Sequence, residues 1–345
     1  MIDLKSMVLP EMEEYFRSLN LPRFRSKQVF SWLHEKRAAS FDEMTNLPLS
    51  LRQQLAEQCA LTTLVIERKL VSQLDGTIKY LYRLPDGNHI ESVLMRYEHG
   101  NSLCISSQVG CKMNCAFCAS TKAGFVRNLT PSEILEQVYM AGRDTGEKVS
   151  NIVMMGIGEP LDNYDNVLRF LELVSDPNGL NLSHRHISLS TCGVVDKIYD
   201  LAHRDLQITL SISLHATTDS TRSEIMPINR RWGIKELLDA CRYYTDKTHR
   251  RISYEYALIA GVNDSRKQAE ELAALLKGML CHINLIPVNY VREAGYEKSG
   301  KGQIFAFQKV LNDRGMNATV RRTLGADINA ACGQLRREAE EPGRE

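Results

Sequence analysis

The chain has 345 residues, 43% hydrophobic and 25% charged, with a formal net charge of +1. These values are ordinary for a soluble globular protein with one large core, or one large core and a small additional domain. No segment has the basic start and apolar run of a secretion signal, and no run of about 18 apolar residues predicts a membrane span. We therefore expect a cytoplasmic protein, in which clustered cysteines indicate metal binding or catalysis more often than disulfides.

The first 62 residues contain short helical segments with a basic and aromatic surface. Between residues 17 and 37 there are six basic residues and one acidic residue, with four aromatic residues in or beside this stretch. Such a patch could hold phosphates, with the aromatic residues as its underlying core. The alternative is a solvated helix face, which composition alone favours. The basic and aromatic residues are Arg17, Arg23, Arg25, Lys27, Lys36, Arg37, Phe16, Phe24, Phe30 and Trp32.

A β-strand extension is predicted over residues 63–96, where three strand-like runs are separated by turn signals. The turns fall at Asp75-Gly76 and Asp86-Gly87. The last run, "HIESVLMRY", carries Glu91 between apolar residues. By itself, this pattern indicates an exposed strand glutamate.

After residue 100, six strand-like runs alternate with segments of helical period, which predicts an α/β fold with a parallel sheet and helical crossovers. One helix start is explicit, because Thr130 precedes Pro131 and Glu133 completes a capping box. Six parallel strands can form an open doubly wound sheet or a partial barrel. No Gly-x-Gly-x-x-Gly follows the first strand, which weighs against a dinucleotide fold. The runs cover residues 102–109, 151–157, 186–191, 207–214, 252–259 and 282–288.

Three cysteines follow the first of these strands in the word "CISSQVGCKMNCAFC", with the spacing Cys111-x3-Cys115-x2-Cys118. In a barrel this loop lies at the carboxyl ends of the strands, where the active site is found. Three thiolates can hold three corners of an iron–sulfur cube and leave the fourth iron open. Zinc is the competing metal, but a structural zinc site needs four ligands and the sequence has no second Cys-x2-Cys. The spacing therefore favours a cluster that binds a substrate at its open iron.

This cysteine spacing, with Phe117 before Cys118, resembles the radical S-adenosylmethionine (SAM) enzymes. The resemblance implies a partial, six-stranded parallel β/α barrel, a [4Fe-4S] cluster held by Cys111, Cys115 and Cys118, and reductive cleavage of SAM to a 5′-deoxyadenosyl radical. "MGIGEP" (155–160) resembles the glycine–glutamate turn of that family. Other residues at the strand ends would complete the SAM site, although each one alone is more often a turn cap. The implied SAM contacts are Gly158, Glu159, Pro160, Ser190, Ser213, Leu214, His215 and Asn289.

Two longer words, "LCISSQVGC" and "RRTLGADINAACGQL", are similar to the RlmN family of dual-specificity RNA adenine-C2 methyltransferases, and the resemblance covers nearly the whole chain. It implies that Cys332 carries the methyl group as S-methylcysteine and that a second SAM supplies the radical. Glu91 matches the proton acceptor of the family. Cys104 would attack the Cys332 sulfur, which releases the product and leaves a transient disulfide. We expected burial to make Glu91 a stronger base.

The resemblance also implies the partners. The substrates would be adenine 2503 of 23S rRNA and adenine 37 of tRNAs. A one-electron reductant such as flavodoxin or ferredoxin would supply electrons. No membrane partner is expected, and nothing requires more than a monomer. The basic N-terminal residues, with Arg321 and Arg322, are candidates for holding an RNA whose target base is drawn out of its stack.

The sequence leaves three alternative functions. The sister family methylates carbon 8 of the same rRNA adenine, but it carries Ala and Cys where this chain has Pro160 and Val109. Methylthiotransferases of the same superfamily need a further cysteine triad, which the sequence lacks. A non-enzymatic iron–sulfur or zinc RNA-binding module would bind RNA without consuming SAM.

Four segments are predicted. Residues 1–62 form a helical RNA-binding accessory domain, and 63–96 the β-strand extension. Residues 97–335 form the radical SAM core with a C-terminal cysteine loop, and the charged tail 336–345 is disordered.

Overall fold

The structure is a computed structural model that describes residues 1–122, 124–288 and 295–328. Two predicted site residues, Asn289 and Cys332, lie outside these ranges, as does the predicted tail. None of the described helices is long and apolar enough to span a membrane.

The N-terminal residues form three helices on a shared apolar core. Phe16 and Phe30 are fully buried, as expected for aromatic residues beneath a basic surface, whereas Phe24 is 53% exposed. A short parallel pair brings the two ends of this region together, since Ile2 lies opposite Cys59. The elements are β1 (Ile2–Asp3), α1 (Leu9–Ser18), α2 (Arg23–His34), α3 (Leu49–Gln58) and β2 (Cys59–Ala60).

Buried ionic contacts fix the N-terminal helices to the rest of the molecule. The Lys5 ammonium is fully buried and donates to Glu136 Oε2 at 2.9 Å and to the Thr62 carbonyl at 2.7 Å. Arg143 donates to the other Glu136 oxygen and to the Arg37 carbonyl. Burial lowers the pKa of Lys5, and the Glu136 carboxylate opposes that effect. Removing either charge would leave the other in a poorly solvated place.

The next strands include the predicted β-strand extension, which joins the main sheet directly. β3, β4, β5 and β6 pair in antiparallel order, and β6 then pairs in parallel with β9. The predicted run 102–109 divides in two, because the chain leaves the main sheet after Cys104 and forms a separate hairpin of β7 and β8. These strands are β3 (Val65–Val71), β4 (Ile78–Arg83), β5 (His89–Tyr97), β6 (Gly100–Cys104), β7 (Gln108–Gly110) and β8 (Phe125–Asn128).

The remaining strands complete a parallel sheet in which each strand pairs with the next along the chain. The six predicted parallel strands are present, and a short additional strand, which follows the last helix, extends the described sheet. The ten-stranded order is β14-β13-β12-β11-β10-β9-β6-β5-β4-β3, which confirms the predicted α/β fold of mainly parallel strands. The later strands are β9 (Val149–Met154), β10 (Ile187–Thr191), β11 (Thr209–Ser213), β12 (Ile252–Leu258), β13 (Cys281–Pro287) and β14 (Ala318–Val320).

Helices cross over between the parallel strands and bury their apolar faces in one hydrophobic cluster with the N-terminal region. The predicted helix start at Thr130 is confirmed: its side chain accepts a hydrogen bond from Glu133 N, and Glu133 Oε2 accepts one from Thr130 N. Because successive strands are parallel, their carboxyl ends meet at one edge of the sheet. The helices are α4 (Pro131–Thr145), α5 (Tyr164–Ser175), α6 (Val195–Ala202), α7 (Asp219–Ile225), α8 (Ile234–Thr248), α9 (Arg266–Leu275) and α10 (Lys301–Asp313).

Candidate active site

A cavity of about 270 Å³ lies at the carboxyl ends of the parallel strands. The structure brings together there most of the described residues predicted to hold a cluster or SAM. Pro160 and Leu214 are buried and do not line the cavity. The predicted residues that line it are Cys111, Cys115, Cys118, Gly158, Glu159, Ser190, Ser213 and His215.

The three clustered cysteines lie on one loop between β7 and β8. Gly110, the residue before Cys111, pairs with Phe125 of β8, which fixes one end of the loop. The Cys118 amide donates to the Cys115 carbonyl at 3.1 Å, so the last two thiols share a tight turn. The local backbone therefore holds the thiols in one wall of the cavity.

Burial raises the pKa of the Cys111 thiol to about 12, and burial and the neighbouring thiols raise that of Cys115 well above its ordinary value. Metal ligation needs thiolates, which burial disfavours. A positively charged metal centre would stabilise the thiolate form of these cysteines. No three Cys, His, Asp or Glu side chains in the described ranges are placed to hold a single metal ion. A cluster has a different requirement, because each thiolate binds a separate iron. The donor set fits an iron–sulfur cluster.

The glycine–glutamate turn packs tightly beside the cysteine loop. Gly158 has φ +108°, and a Cβ there would lie 2.6 Å from Gln108 Cβ and 2.7 Å from Gln108 N, so only glycine fits. Glu159 is 3% exposed, and its carboxylate accepts from Cys192 N at 2.7 Å and from Leu161 N at 3.0 Å. Burial raises the pKa of Glu159, and the bonds from Cys192 oppose that rise. The carboxylate keeps further acceptor sites for an ammonium group.

His215 directly follows the fourth predicted strand, residues 207–214. Its backbone has a strained left-handed conformation, with φ +57°. Its Nδ1 accepts from Ala257 N at 2.9 Å, and its ring packs edge-on against Phe117 with centroids 5.0 Å apart. Burial lowers the pKa of His215 to about 3, so the ring is neutral. Since Nδ1 is an acceptor, the ring hydrogen belongs to Nε2.

Sequence reasoning missed a buried carboxylate in the cavity wall. Glu255 accepts from Asn284 Nδ2 at 2.7 Å and from Ser253 Oγ at 2.9 Å, and burial raises its pKa. A signal existed, because a glutamate inside the otherwise apolar run "ISYEYAL" is unusual in a buried parallel strand.

Sequence reasoning also missed Arg222, which is fully buried behind the cavity wall. Its guanidinium donates to the carbonyl oxygens of Leu214, Cys192 and Ser213 and to Asn229 Oδ1. These bonds hold the chain at the ends of β10 and β11, which carry predicted SAM contacts.

Cys104 and Glu91 lie on one face of neighbouring strands but do not line the cavity. Val93 of β5 lies opposite both Cys104 of β6 and Lys79 of β4. Glu91 is two residues before Val93 in the same strand, so both side chains lie on the same face of the sheet. The Lys79 ammonium lies 3.3 Å from Glu91 Oε2, with both side chains buried. Cys104 is 5% exposed and packs with Val93 in a small apolar cluster. Met155 packs against that cluster and also lines the cavity, so it connects the two regions.

The last described segment passes over the same face. Leu324 packs against the cluster that contains Cys104. Asp327 accepts hydrogen bonds from Ser72 Oγ at 2.6 Å and from Gln73 N at 2.8 Å. Gly325 N donates to Asp75 Oδ2 at 2.9 Å. Cys332 is five residues beyond Asp327 and outside the described residues.

Comparison with known proteins gives two family matches. The Radical SAM superfamily matches residues 105–274, and the Ribosomal RNA large subunit methyltransferase N-terminal domain matches residues 2–61. A protein of Lachnospira eligens named "Probable dual-specificity RNA methyltransferase RlmN" is 54% identical over 97% of this chain and 96% of its own length. A protein of the same name from Alkaliphilus oremlandii is 55% identical over 98% of both chains. The chain belongs to the RlmN family.

A solved structure agrees with the RlmN assignment. The crystal structure of a radical SAM methyltransferase from Sphaerobacter thermophilus superposes with a TM-score of 0.93 at 45% identity, covering 97% of this chain and 99% of that one. This protein is therefore an RlmN-type dual-specificity radical SAM RNA methyltransferase. The superfamily implies a [4Fe-4S] cluster and SAM, and the RlmN family uses two SAM molecules per turnover.

Proposed function

We propose that the protein methylates carbon 2 of adenine 2503 in 23S rRNA and carbon 2 of adenine 37 in tRNAs. The observation that carries the proposal is the position of Met155, which borders the cavity with the cysteine triad and also packs against the Cys104 cluster. Radical formation in the cavity and the thiol chemistry of Cys104 would then take place on opposite sides of the Met155 side chain. We propose that the enzyme acts as a cytoplasmic monomer.

Cys111, Cys115 and Cys118 would hold the [4Fe-4S] cluster and leave one iron for SAM. Glu159, Ser190, Ser213 and His215 would contact SAM, with Gly158, Pro160, Leu214 and Asn289 shaping the same site. The bound cluster and SAM would supply a 5′-deoxyadenosyl radical.

The chain's own side chains would do the remaining chemistry. Cys332 would carry the new carbon as a thioether and join it to the adenine ring. Glu91 would accept the proton that leaves the ring carbon. Attack by the Cys104 thiolate on the Cys332 sulfur would break the sulfur–carbon bond and leave a disulfide, and the freed carbon would take up a proton to become the methyl group of the RNA. A reductant would have to supply two electrons and two protons to reopen that disulfide in each cycle. Flavodoxin or ferredoxin would supply single electrons to the enzyme.

The ion pair between Lys79 and Glu91 supports the role of Glu91 as proton acceptor. The Lys79 ammonium lies 3.3 Å from Glu91 Oε2 and provides the opposite charge that a buried carboxylate needs. The Glu91 carbonyl also accepts a 2.6 Å hydrogen bond from Ser106 Oγ, which fixes the strand at this point. Lys79 and this backbone contact would position the base.

The position of Asp327 supports the role of Cys332. Asp327 is five residues before Cys332 in the sequence, and five residues span at most about 18 Å when fully extended. Leu324 contacts the cluster around Cys104. The described chain that leads to Cys332 therefore reaches the surroundings of Cys104, as the proposed reaction between the two thiols requires.

The N-terminal helices offer a surface suited to RNA. Arg25 lies 4.7 Å from the centroid of the exposed Phe24 ring, and Lys36 lies 3.8 Å from the Trp32 ring. Cations stacked on aromatic rings can bind phosphates and unpaired bases. Arg23 is partly neutralised by Glu13 at 2.8 Å, so Arg25 and its neighbours are the better candidates.

Nucleoside mass spectrometry tests the proposal. Digested 23S rRNA and tRNA from cells that have the protein should contain 2-methyladenosine that is missing from cells without it. Complementation with the wild type should restore the modification, and complementation with Cys332→Ala should not. A product of 8-methyladenosine would instead favour the sister activity. Anaerobic incubation that yields no 5′-deoxyadenosine would favour a non-enzymatic RNA-binding module.

A Cys104→Ala variant tests the release step separately. If Cys104 attacks the Cys332 sulfur, this variant should accumulate RNA covalently joined to protein, visible as a shifted band on a denaturing gel. A Cys241→Ala variant is a matched control, because that buried thiol lies away from the cavity lining. Free methylated RNA formed at the normal rate by the Cys104→Ala variant would contradict the proposed step.

A further inference from the structure

We infer that Arg222 is the fixed counter-charge of the iron–sulfur cluster and makes the cluster easier to reduce. The inference rests on the proposed ligands Cys111, Cys115 and Cys118, and it does not depend on which RNA position is methylated. It gives a function to a fully buried cation that the proposed steps do not use.

The Arg222 guanidinium is surrounded by neutral acceptors. Its four hydrogen bonds, of 2.7 to 3.1 Å, end on three backbone carbonyls and on the amide oxygen of Asn229. Within residues 1–122, 124–288 and 295–328, no carboxylate forms an ion pair with it. The nearby Asp219 carboxylate acts on Arg222 only from beyond Asn229, whose Nδ2 donates to Asp219 Oδ1 at 3.0 Å. A buried cation with this indirect carboxylate partner would be stabilised further by an anion that binds close to its guanidinium.

The cysteine loop docks on the helix that carries Arg222. Ala116 N, inside the loop, donates at 2.9 Å to the carbonyl of Ile225, the last residue of α7. The guanidinium bonds the carbonyl of Cys192, which lines the same cavity as Cys115. Arg222 is therefore close enough to the proposed cluster to act through space.

Other cations near the cavity are more exposed to solvent. Lys112 is 53% exposed and forms an ion pair with Asp162 at 2.8 Å. Arg321 lines the cavity but is also exposed. Water and salt screen exposed charges, whereas a buried charge keeps most of its field. Among the described residues, Arg222 is thus the cation best placed to influence the cluster.

The electrostatic effect has a definite sign. Three thiolates give a [4Fe-4S] centre one net negative charge, and transfer of one electron from the reductant adds a second. A fixed positive charge stabilises the doubly negative form more than the singly negative form, which raises the reduction potential. Loss of the Arg222 charge should therefore make the cluster harder to reduce.

Redox titration of the reconstituted full-length protein tests the inference. The cluster is titrated anaerobically with dithionite and redox mediators, without SAM or RNA, and the reduced fraction is measured by electron paramagnetic resonance. Arg222→Gln removes the charge, and Arg222→Lys retains it. At a fixed potential we expect the ratio of reduced to oxidised cluster to fall at least tenfold in the Gln variant. For a one-electron couple, a tenfold fall corresponds to a reduction potential that is lower by about 59 mV. The Lys variant should stay within threefold of the wild type.

Arg250→Gln is the matched control. Arg250 is partly buried and donates to the carbonyl of Ile208, the residue before β11, so it lies at the amino ends of the strands and not at the carboxyl ends that form the cavity. This variant should titrate like the wild type. If Arg222→Gln titrates like the wild type, or if the Gln and Lys variants shift equally, Arg222 acts only by positioning the strand ends and the inference is wrong.

A second pair of variants covers the case in which Arg222→Gln does not fold. Asn229 accepts from Arg222 at 3.1 Å and donates to Asp219 Oδ1 at 3.0 Å, so Asn229→Asp adds a carboxyl between an intact guanidinium and the Asp219 carboxylate. Asn229→Leu removes the same amide without adding charge. The Asp variant should be harder to reduce than the Leu variant, and equal titrations would overturn the inference. A wild-type chain that binds no iron would instead refute the proposed function. Failure of the proposed function is therefore distinguishable from failure of the inference about Arg222.

Discussion

Replacement of Lys79 by Met should destabilise the fold strongly, because it removes one charge of a buried pair. The Lys79 ammonium and the Glu91 carboxylate are 0% and 1% exposed and lie 3.3 Å apart. Loss of one partner from such a pair typically costs about 3–5 kcal/mol. With an unfolding entropy of about 2.1 cal/mol/K per residue, 345 residues give about 0.7 kcal/mol/K, so the Tm should fall by about 4–7 °C.

Thermal and urea denaturation, followed by circular dichroism, measure this loss. Lys235→Met is the control, because Lys235 is 87% exposed and its ion pair with Asp239 should contribute less than about 1 kcal/mol. The combined variant Lys79→Met with Glu91→Gln should regain much of the lost stability, since no buried charge is then left over.

Two results would refute this reasoning. One is a Lys79→Met variant as stable as Lys235→Met. The other is a double variant less stable than the single variant, which would mean that packing, and not charge, dominates at this site.

Three further predictions concern other parts of the molecule. Gly158→Ala should weaken SAM binding at least tenfold in equilibrium dialysis, because the new Cβ would collide with Gln108. Gly87→Ala is the control and should not weaken binding, because Gly87 has a positive φ of +85° but no atom within 4 Å of the new Cβ. Lys5→Met should lower the free energy of unfolding by about 3 kcal/mol in urea, the lower end of the range for buried pairs, because Arg143 still contacts Glu136; a loss below 1 kcal/mol would contradict this. Charge reversal of Arg25 and Lys27 should weaken RNA binding and flatten its salt dependence in filter-binding assays, and unchanged affinity would indicate a solvated helix face.

Local patterns carried most of the fold prediction. The capping box at Thr130 was visible because its partners are three residues apart, and the structure contains both bonds. The parallel strands were visible as strand-like runs of six to eight residues. The cysteine triad was visible because its spacing is fixed within one loop, which the structure places in the cavity wall.

Short elements were not predictable in the same way. β14 spans only Ala318–Val320, too few residues to show any periodicity. The start of β7 was predicted as the end of a longer strand over residues 102–109, because the sequence does not show where a chain leaves a sheet. In the structure Ile105 N still bonds the Val153 carbonyl, and Gln108 already pairs with Asn128 of the hairpin.

Contacts that depend on register could not be derived from the sequence. Lys79 and Glu91 meet only because β4 and β5 pair with Lys79 opposite Val93. The sequence did not reveal the Lys79 ammonium that pairs with the buried Glu91 carboxylate. Arg222 has no local signal either, since three of its four acceptors come from strand ends that precede α7 in the chain.

The buried contact between Lys5 and Glu136 has a practical consequence for dividing the chain. A family match ends at residue 61, which invites truncation there. Such a truncation would remove Lys5 and expose the apolar residues that the N-terminal helices cover in the shared hydrophobic cluster. The shortened protein should aggregate or melt early, and not merely lose RNA affinity. The two parts should therefore be expressed together and should unfold in a single transition.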